Sequence, residues 1–113
     1  MIELYWEIGK YIANRTQEGT WGKAIVANLS EHLHTNLEAP QGFSVLNLWR
    51  MKQFYETYRY DEKLSPVVRE ISWSNNLLIL SGTKSLEEKE FYLRLAIRER
   101  YSKRELERQL GSG

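Results

Sequence analysis

Apolar positions recur at helical intervals from the first residues of the chain. Over residues 2–17, Leu4, Tyr5, Ile8, Tyr11 and Ile12 follow the i, i+4, i+7 spacing that gathers side chains on one helical face. Gln17-Glu18-Gly19 reads as the stop of that helix. Thr20 is placed to cap a second helix, with Trp21, Ile25, Leu29, Leu33 and Leu37 as its apolar stripe. Glu38-Ala39-Pro40-Gln41-Gly42 then breaks the pattern, because proline disfavours helix at the residue before it and glycine permits a sharp turn.

Ser44 opens the third helix as an N-cap, with Phe43 before it positioned to pack on Leu48 as a hydrophobic staple. Leu48, Met51, Phe54 or Tyr55, and Tyr58 continue its stripe. Ser65-Pro66 predicts a further start with proline at the first helical position, followed by Val67, Val68 and Ile71. The apolar segment around residues 72–81, with Trp73 and Leu77 to Leu80, has no partner strand nearby and reads as helix. Ser85-Leu86-Glu87-Glu88 is a capping box, and Phe91, Leu95, Tyr92 and Ile97 are expected to be the buried face behind it. Tyr101 to Leu106 repeats the device, with Ser102 as cap, Glu105 at the third position and Tyr101 against Leu106. Arg100 and Tyr101 leave so little chain between these last two helices that they must meet at a tight corner. The pattern predicts an all-α domain, a multi-helical bundle of about six or seven helices with helix-turn-helix-like corners.

Composition narrows the chemistry. The length of 113 residues suits one domain, read as residues 1–110, with Gly111-Ser112-Gly113 as a trailing tail or cut linker. Cysteine is absent, which excludes a disulfide framework, a Cys-ligated zinc site and thiol catalysis, and favours a cytoplasmic setting. No apolar run is long enough to span a membrane. His32 and His34 lie two apart on a predicted helix and so do not share a face for a metal. No phosphate-binding glycine loop or hydrolase motif occurs. Asp61-Glu62-Lys63 falls in a turn and Glu87-Glu88-Lys89 at a capped helix start, not on a strand where alternate residues bring an acid beside a catalytic lysine. The expectation is a chain with no catalytic site, metal or cofactor. Trp21, Trp49 and Trp73 are expected to pack rather than to stack on bases.

Charge, near neutral at +1 overall, is unevenly spread. Residues 1–48 hold three basic and five acidic side chains, whereas residues 71–113 hold eight and six. Arg94, Arg98, Arg100, Lys103, Arg104 and Arg108 crowd into fifteen residues at the tight corner. Arg94 and Arg98, and again Arg104 and Arg108, share a helix face by their i, i+4 spacing. Two readings of the cluster stand: a phosphate-gripping helix-turn-helix, or a solvated face laced by ion pairs such as Glu90–Arg94. Asn47, Arg50 and Lys52, at the start of the third helix, form a second candidate surface, since Asn and Arg read adenine and guanine edges. Asn47 can equally serve its own helix start.

Taken in order, a series of segments resembles the N-terminal domain of YhcG-type proteins over nearly all of residues 3–110. They are Leu4 to Lys10, Trp21-Gly22-Lys23, Gly42-Phe43-Ser44 with Asn47 to Met51 and Phe54-Tyr55, Ser72 to Leu77, and Phe91-Tyr92 through Ser102 to Gln109. Val45 and Leu46 depart from it where the family often has polar residues, and Asn75 where it commonly has His. The resemblance implies a helical domain that precedes a PD-(D/E)XK nuclease domain and binds DNA through a helix-turn-helix, the catalytic half lying elsewhere in the parent. Its implied partners are duplex DNA and that nuclease domain, and no membrane. The rival reading is a protein-interaction or dimerisation module that docks on the nuclease domain or on a second copy, with Val45, Leu46 and Trp49 as the apolar contact.

Overall fold

A computed structural model describes residues 2–16, 22–36 and 42–112. Among them are seven helices and no strand: α1 (Ile2–Thr16), α2 (Gly22–Asn36), α3 (Val45–Tyr58), α4 (Leu64–Val68), α5 (Trp73–Gly82), α6 (Leu86–Glu99) and α7 (Lys103–Ser112). The all-α architecture is the one the periodicity predicts. Thr20, Trp21 and Leu37, and the stop and breaker segments around them, lie outside the described residues. The chain divides into two compact units, Glu3–Thr57 and Tyr58–Gly113.

In the first unit α1 buries Tyr5, Trp6, Ile8, Gly9, Ile12 and Ala13. The expected stripe is rotated: Leu4 is 42% and Tyr11 45% exposed. The cause is the pair of small residues that a search for large apolar side chains passes over. A Cβ on Gly9 would overlap the Met51 carbonyl oxygen and lie 2.7 Å from its carbonyl carbon, so α1 and α3 meet backbone to backbone at this point. Trp6 fills the space beside the crossing, edge-on to Phe54 at 5.5 Å and to Tyr55 at 5.1 Å. Along α3 the stripe Leu48, Met51, Phe54 and Tyr58 is fully buried as its spacing predicts. Ser44 caps α3 by accepting from the Asn47 N–H at 3.1 Å. In α2 the buried positions are Val26 and Ser30, while Ile25, Leu29 and Leu33 are half-buried. Ser30 tolerates burial because its hydroxyl donates to the Phe43 carbonyl at 2.6 Å.

The second unit starts differently from the expectation. α4 begins at Leu64, so Pro66 is its third residue and not its first. Asp61 organises this start, its carboxylate accepting from the N–H groups of Lys63 and Leu64, both at 3.0 Å. A short Asp two or three residues ahead of free N–H groups does what a cap does. Asn76, wholly buried, ties the end of α4 to α5 by donating to the carbonyls of Val68, Ile71 and Ser72. Helix α5 packs on both α6 and α7, and α4 packs on α6.

Helix α6 buries Lys89, Leu93 and Ala96. The expected face is wrong here, for Phe91 is 60% and Ile97 38% exposed, with Tyr92 and Leu95 half-buried. Lys89 wins the inward position because its stem is apolar and its ammonium donates to the Thr83 carbonyl at 3.1 Å, which offsets the desolvation that lowers its pKa. The third residue of the Glu87-Glu88-Lys89 triplet thus has a structural task. Ser85 caps α6, accepting from the Glu88 N–H at 3.1 Å. Replacing it with Ala leaves that N–H without its partner, and urea denaturation should show a loss of about 1 kcal/mol.

Candidate nucleic-acid interface

Three residues, 100–102, join α6 to α7. Arg100 stands at φ 54°, ψ 47°, the left-handed conformation, and is the one non-glycine residue of positive φ among the described residues. Its N–H bonds the carbonyls at the end of α6, and the Tyr101 N–H reaches the Ala96 carbonyl at 3.1 Å, the double closure that ends a helix with a sharp turn. Ser102 then opens α7. Its hydroxyl accepts from the Glu105 N–H at 3.3 Å, and its own N–H donates to the Glu105 carboxylate at 3.0 Å. The capping box read from the sequence is complete in both directions. Leu106, fully buried, anchors α7, and Asn75 on α5 donates from its side-chain amide to the Tyr101 carbonyl at 3.0 Å. The corner is therefore pinned from inside, which leaves its outer surface free for charge.

That surface is cationic. Arg98, Arg100, Lys103, Arg104 and Arg108 are all exposed. Arg94 pairs with Glu90 at 2.9 Å and Arg98 with its neighbour Glu99 at 3.3 Å. Such exposed pairs are worth at most about 1 kcal/mol and exchange readily for phosphate. Arg100, Lys103 and Arg104 make no side-chain hydrogen bond or ion pair with the described residues. Lys103 and Arg104 also sit in the first turn of α7, where cations are disfavoured by the helix dipole unless an anion arrives. Glu99, Glu105 and Glu107 are the opposing charges, all three exposed, and Glu105 is the one engaged in the cap. Its backbone bond to Ser102, its side-chain bond to the same residue and the nearby Arg108 hold its carboxyl below the usual range. Because the folded pKa is depressed, the box holds at neutral pH and loosens as pH falls through that lowered value. Relative to unstructured peptide at the same pH, the amide protection of the first turn of α7 should fall in acid ahead of the rest of the helix.

The second candidate surface is partly committed elsewhere. The Asn47 side chain donates to the Gly42 carbonyl at 2.6 Å, so it serves the start of its own helix. Lys52 pairs with Glu56 at 3.1 Å and lies 5.8 Å from the Trp49 ring centroid. Arg50 is exposed. Of the tryptophans expected to pack, Trp49 and Trp73 are half-buried and Trp21 lies outside the described residues; among the described residues Trp6 is the enclosed tryptophan. The His34 ring nitrogen bonds the Ser30 carbonyl at 2.7 Å, while His32 lies with Tyr11 and Leu29 along a groove of the first unit. Val45 and Leu46 are 43% and 61% exposed.

The order of motifs and the helices they occupy meet in one comparison: the family model of the DUF1016 N-terminal domain matches residues 1–113. The chain belongs to that family. It is the YhcG-type N-terminal domain that the ordered segments resemble. None of the curated proteins or solved structures compared with the chain matches it. No helix among the described residues of this DUF1016 domain is long and apolar enough to cross a membrane. Two features of the corner have no counterpart in the sequence reading: the contact from Asn75 to Tyr101, 26 positions away along the chain, and the left-handed backbone at Arg100. For Arg100 the shortness of the connection was a usable signal.

Arg100 supports a prediction with two opposite signs. Glycine adopts φ > 0 without the Cβ penalty, so Arg100→Gly should stabilise the domain by about 1 kcal/mol in urea denaturation. The same change removes a cation from the corner and should weaken binding to nucleic acid severalfold.

Proposed function

We propose that this domain is a non-catalytic DNA-binding module, the targeting half of a PD-(D/E)XK nuclease, and that it grips duplex DNA with the helix-turn-helix-like corner of α6 and α7. The observation that carries the reading is the set of three exposed, unpaired cations, Arg100, Lys103 and Arg104, at a corner held rigid from within. Unpaired cations lose no internal partner on meeting a phosphate, and a fixed turn presents them at constant spacing. Arg98 and Arg108 extend the same surface on either side. Arg94 adds a sixth charge once Glu90 releases it. Family membership supports the reading through the resemblance to YhcG-type proteins, in which such a domain precedes the nuclease. A gel shift with a random-sequence duplex at low and high salt tests it. Retarded complexes that vanish with salt are expected, and no complex at low salt would refute it.

A second reading is favoured by one specific feature, the exposure of Val45 and Leu46 on the first turn of α3. An exposed apolar patch is one form that a partner surface takes. Under that reading the domain docks on its own nuclease domain or on a second copy, and Asn47, Arg50 and Lys52 rim the contact. Light scattering across concentration separates the two: a mass that rises with concentration and falls on Leu46→Glu supports docking between copies.

A further inference from the structure

Three aromatic rings stand largely in water among the described residues: Tyr11 at 45%, Tyr60 at 83% and Phe91 at 60% exposure. Two of them have a cover of their own. The Arg15 guanidinium lies over the Tyr11 ring, 4.9 Å from its centroid, and the Arg59 guanidinium over the Tyr60 ring at 4.6 Å. Phe91 has none. Its ring contact among the described residues is the edge-on one with Tyr92, at 5.1 Å and 85° between planes, which occupies at most one face of the ring. A phenyl ring also lacks the hydroxyl that lets tyrosine meet water.

The face of α6 that carries Phe91 has acid before the ring and cations after it. Arg94, Leu95 and Arg98 follow at i+3, i+4 and i+7 and so share that face, opposite the buried Lys89, Leu93 and Ala96. Glu90 and Glu99 hold the two arginines only through surface pairs, which a phosphate can displace. Toward the N-terminus, Glu87 stands exposed one turn before Phe91 and repels an anion. An open ring with arginines on one side and an acid on the other suits a planar group joined to phosphates on the arginine side. We infer that Phe91 is a stacking platform for an unpaired nucleobase of a DNA strand that leaves the duplex at the α6–α7 corner. The inference rests on the nucleic-acid reading of that corner and adds a fork or unpaired tail to what the domain binds. Phe91 lies seven residues before Arg98, about 10 Å along the helix, a distance that about three nucleotides span at roughly 3.4 Å each. Bases of every kind stack on such rings, because each has a flat π face. A second copy of the chain suits the patch less well. One ring buries at most about 250 Å², whereas specific association of two proteins needs upwards of about 1,000 Å².

The test uses one DNA hairpin stem in three forms: blunt, forked with a few unpaired dT on each strand, and forked with abasic residues in place of those dT. The abasic fork keeps the phosphates and removes the bases, so the comparison separates stacking from charge. The dT fork should bind about tenfold more tightly than the abasic fork, within the range that one base on an aromatic ring contributes. Phe91→Leu should bring that ratio close to one, and Phe91→Tyr should keep it, because the ring and not its apolarity carries the effect. Position 91 is mostly in water, so neither change reaches the core. Equal affinity for the dT and abasic forks, or a ratio that survives Phe91→Leu, overturns the inference, and salt-sensitive binding of the blunt stem then leaves the corner's role standing. A free domain that is dimeric by light scattering and monomeric with Phe91→Leu also overturns it, because a second copy then covers the ring. No salt-sensitive binding to any stem overturns both.

Discussion

Arg104→Glu combined with Arg108→Glu should lower affinity for duplex DNA by about 100-fold at moderate salt, and by the same factor for every sequence. Both side chains are exposed, one helical turn apart on α7, and neither supports the core, which in this helix rests on Leu106. The reversal therefore changes charge without changing fold. Each lost phosphate contact should also flatten the salt dependence by about one unit of slope. Fluorescence anisotropy on two unrelated duplexes, with circular dichroism to confirm helicity, measures all three quantities. A drop confined to one sequence would mean that these residues read bases instead of backbone. No drop would mean that the cluster is only a solvated face, the alternative that its Glu90–Arg94 pair illustrates.

The largest effect on stability is expected at Gly9. Gly9→Ala sets a methyl group against the Met51 carbonyl and 3.0 Å from the Tyr55 Cβ, where the obstacle is backbone and cannot turn aside. Helices α1 and α3 must separate or shift in register, and the loosened packing around Trp6 and Phe54 adds to the cost. A loss of about 3 kcal/mol is expected, toward the top of what overpacking a core causes. Chemical denaturation measures it, and the Trp6 fluorescence should move to longer wavelength as its edge-on contacts open. An ordinary surface glycine on a helix would respond oppositely, gaining up to about 1 kcal/mol from the same change.

What could be read in advance divides by physical cause. Capping is local, so Ser44, Ser85 and the Ser102–Glu105 box were legible from a few adjacent residues and act as expected. The α3 stripe was legible because Leu48, Met51, Phe54 and Tyr58 recur at helical spacing on one face. Helix faces in α1 and α6 were misread where the buried side is marked by small or amphipathic residues: Gly9 and Ala13 in one, Lys89 and Ala96 in the other. Phe91 shows the converse, an aromatic left 60% exposed that packs edge-on against its neighbour Tyr92 at 5.1 Å. The start of α4 was misplaced because Ser65-Pro66 has the form of a helix start, while the Asp61 carboxylate does the work from further upstream. Within the candidate site, the cations were legible as a cluster with i, i+4 spacing. The latch from Asn75 to Tyr101 was not, because no local pattern announces a contact across 26 residues.

The central claim is that the α6–α7 corner binds the DNA backbone, and the dependence of affinity on salt measures this most directly. Five phosphate contacts, from Arg98, Arg100, Lys103, Arg104 and Arg108, predict that the logarithm of the association constant falls with the logarithm of salt concentration at a slope of about −4.5. A titration of the unmodified domain with a short duplex between 50 and 200 mM salt, roughly the range over which such contacts weaken markedly, gives that slope. A steep linear fall near the predicted value supports the account, and a flat line or no binding at the lowest salt contradicts it.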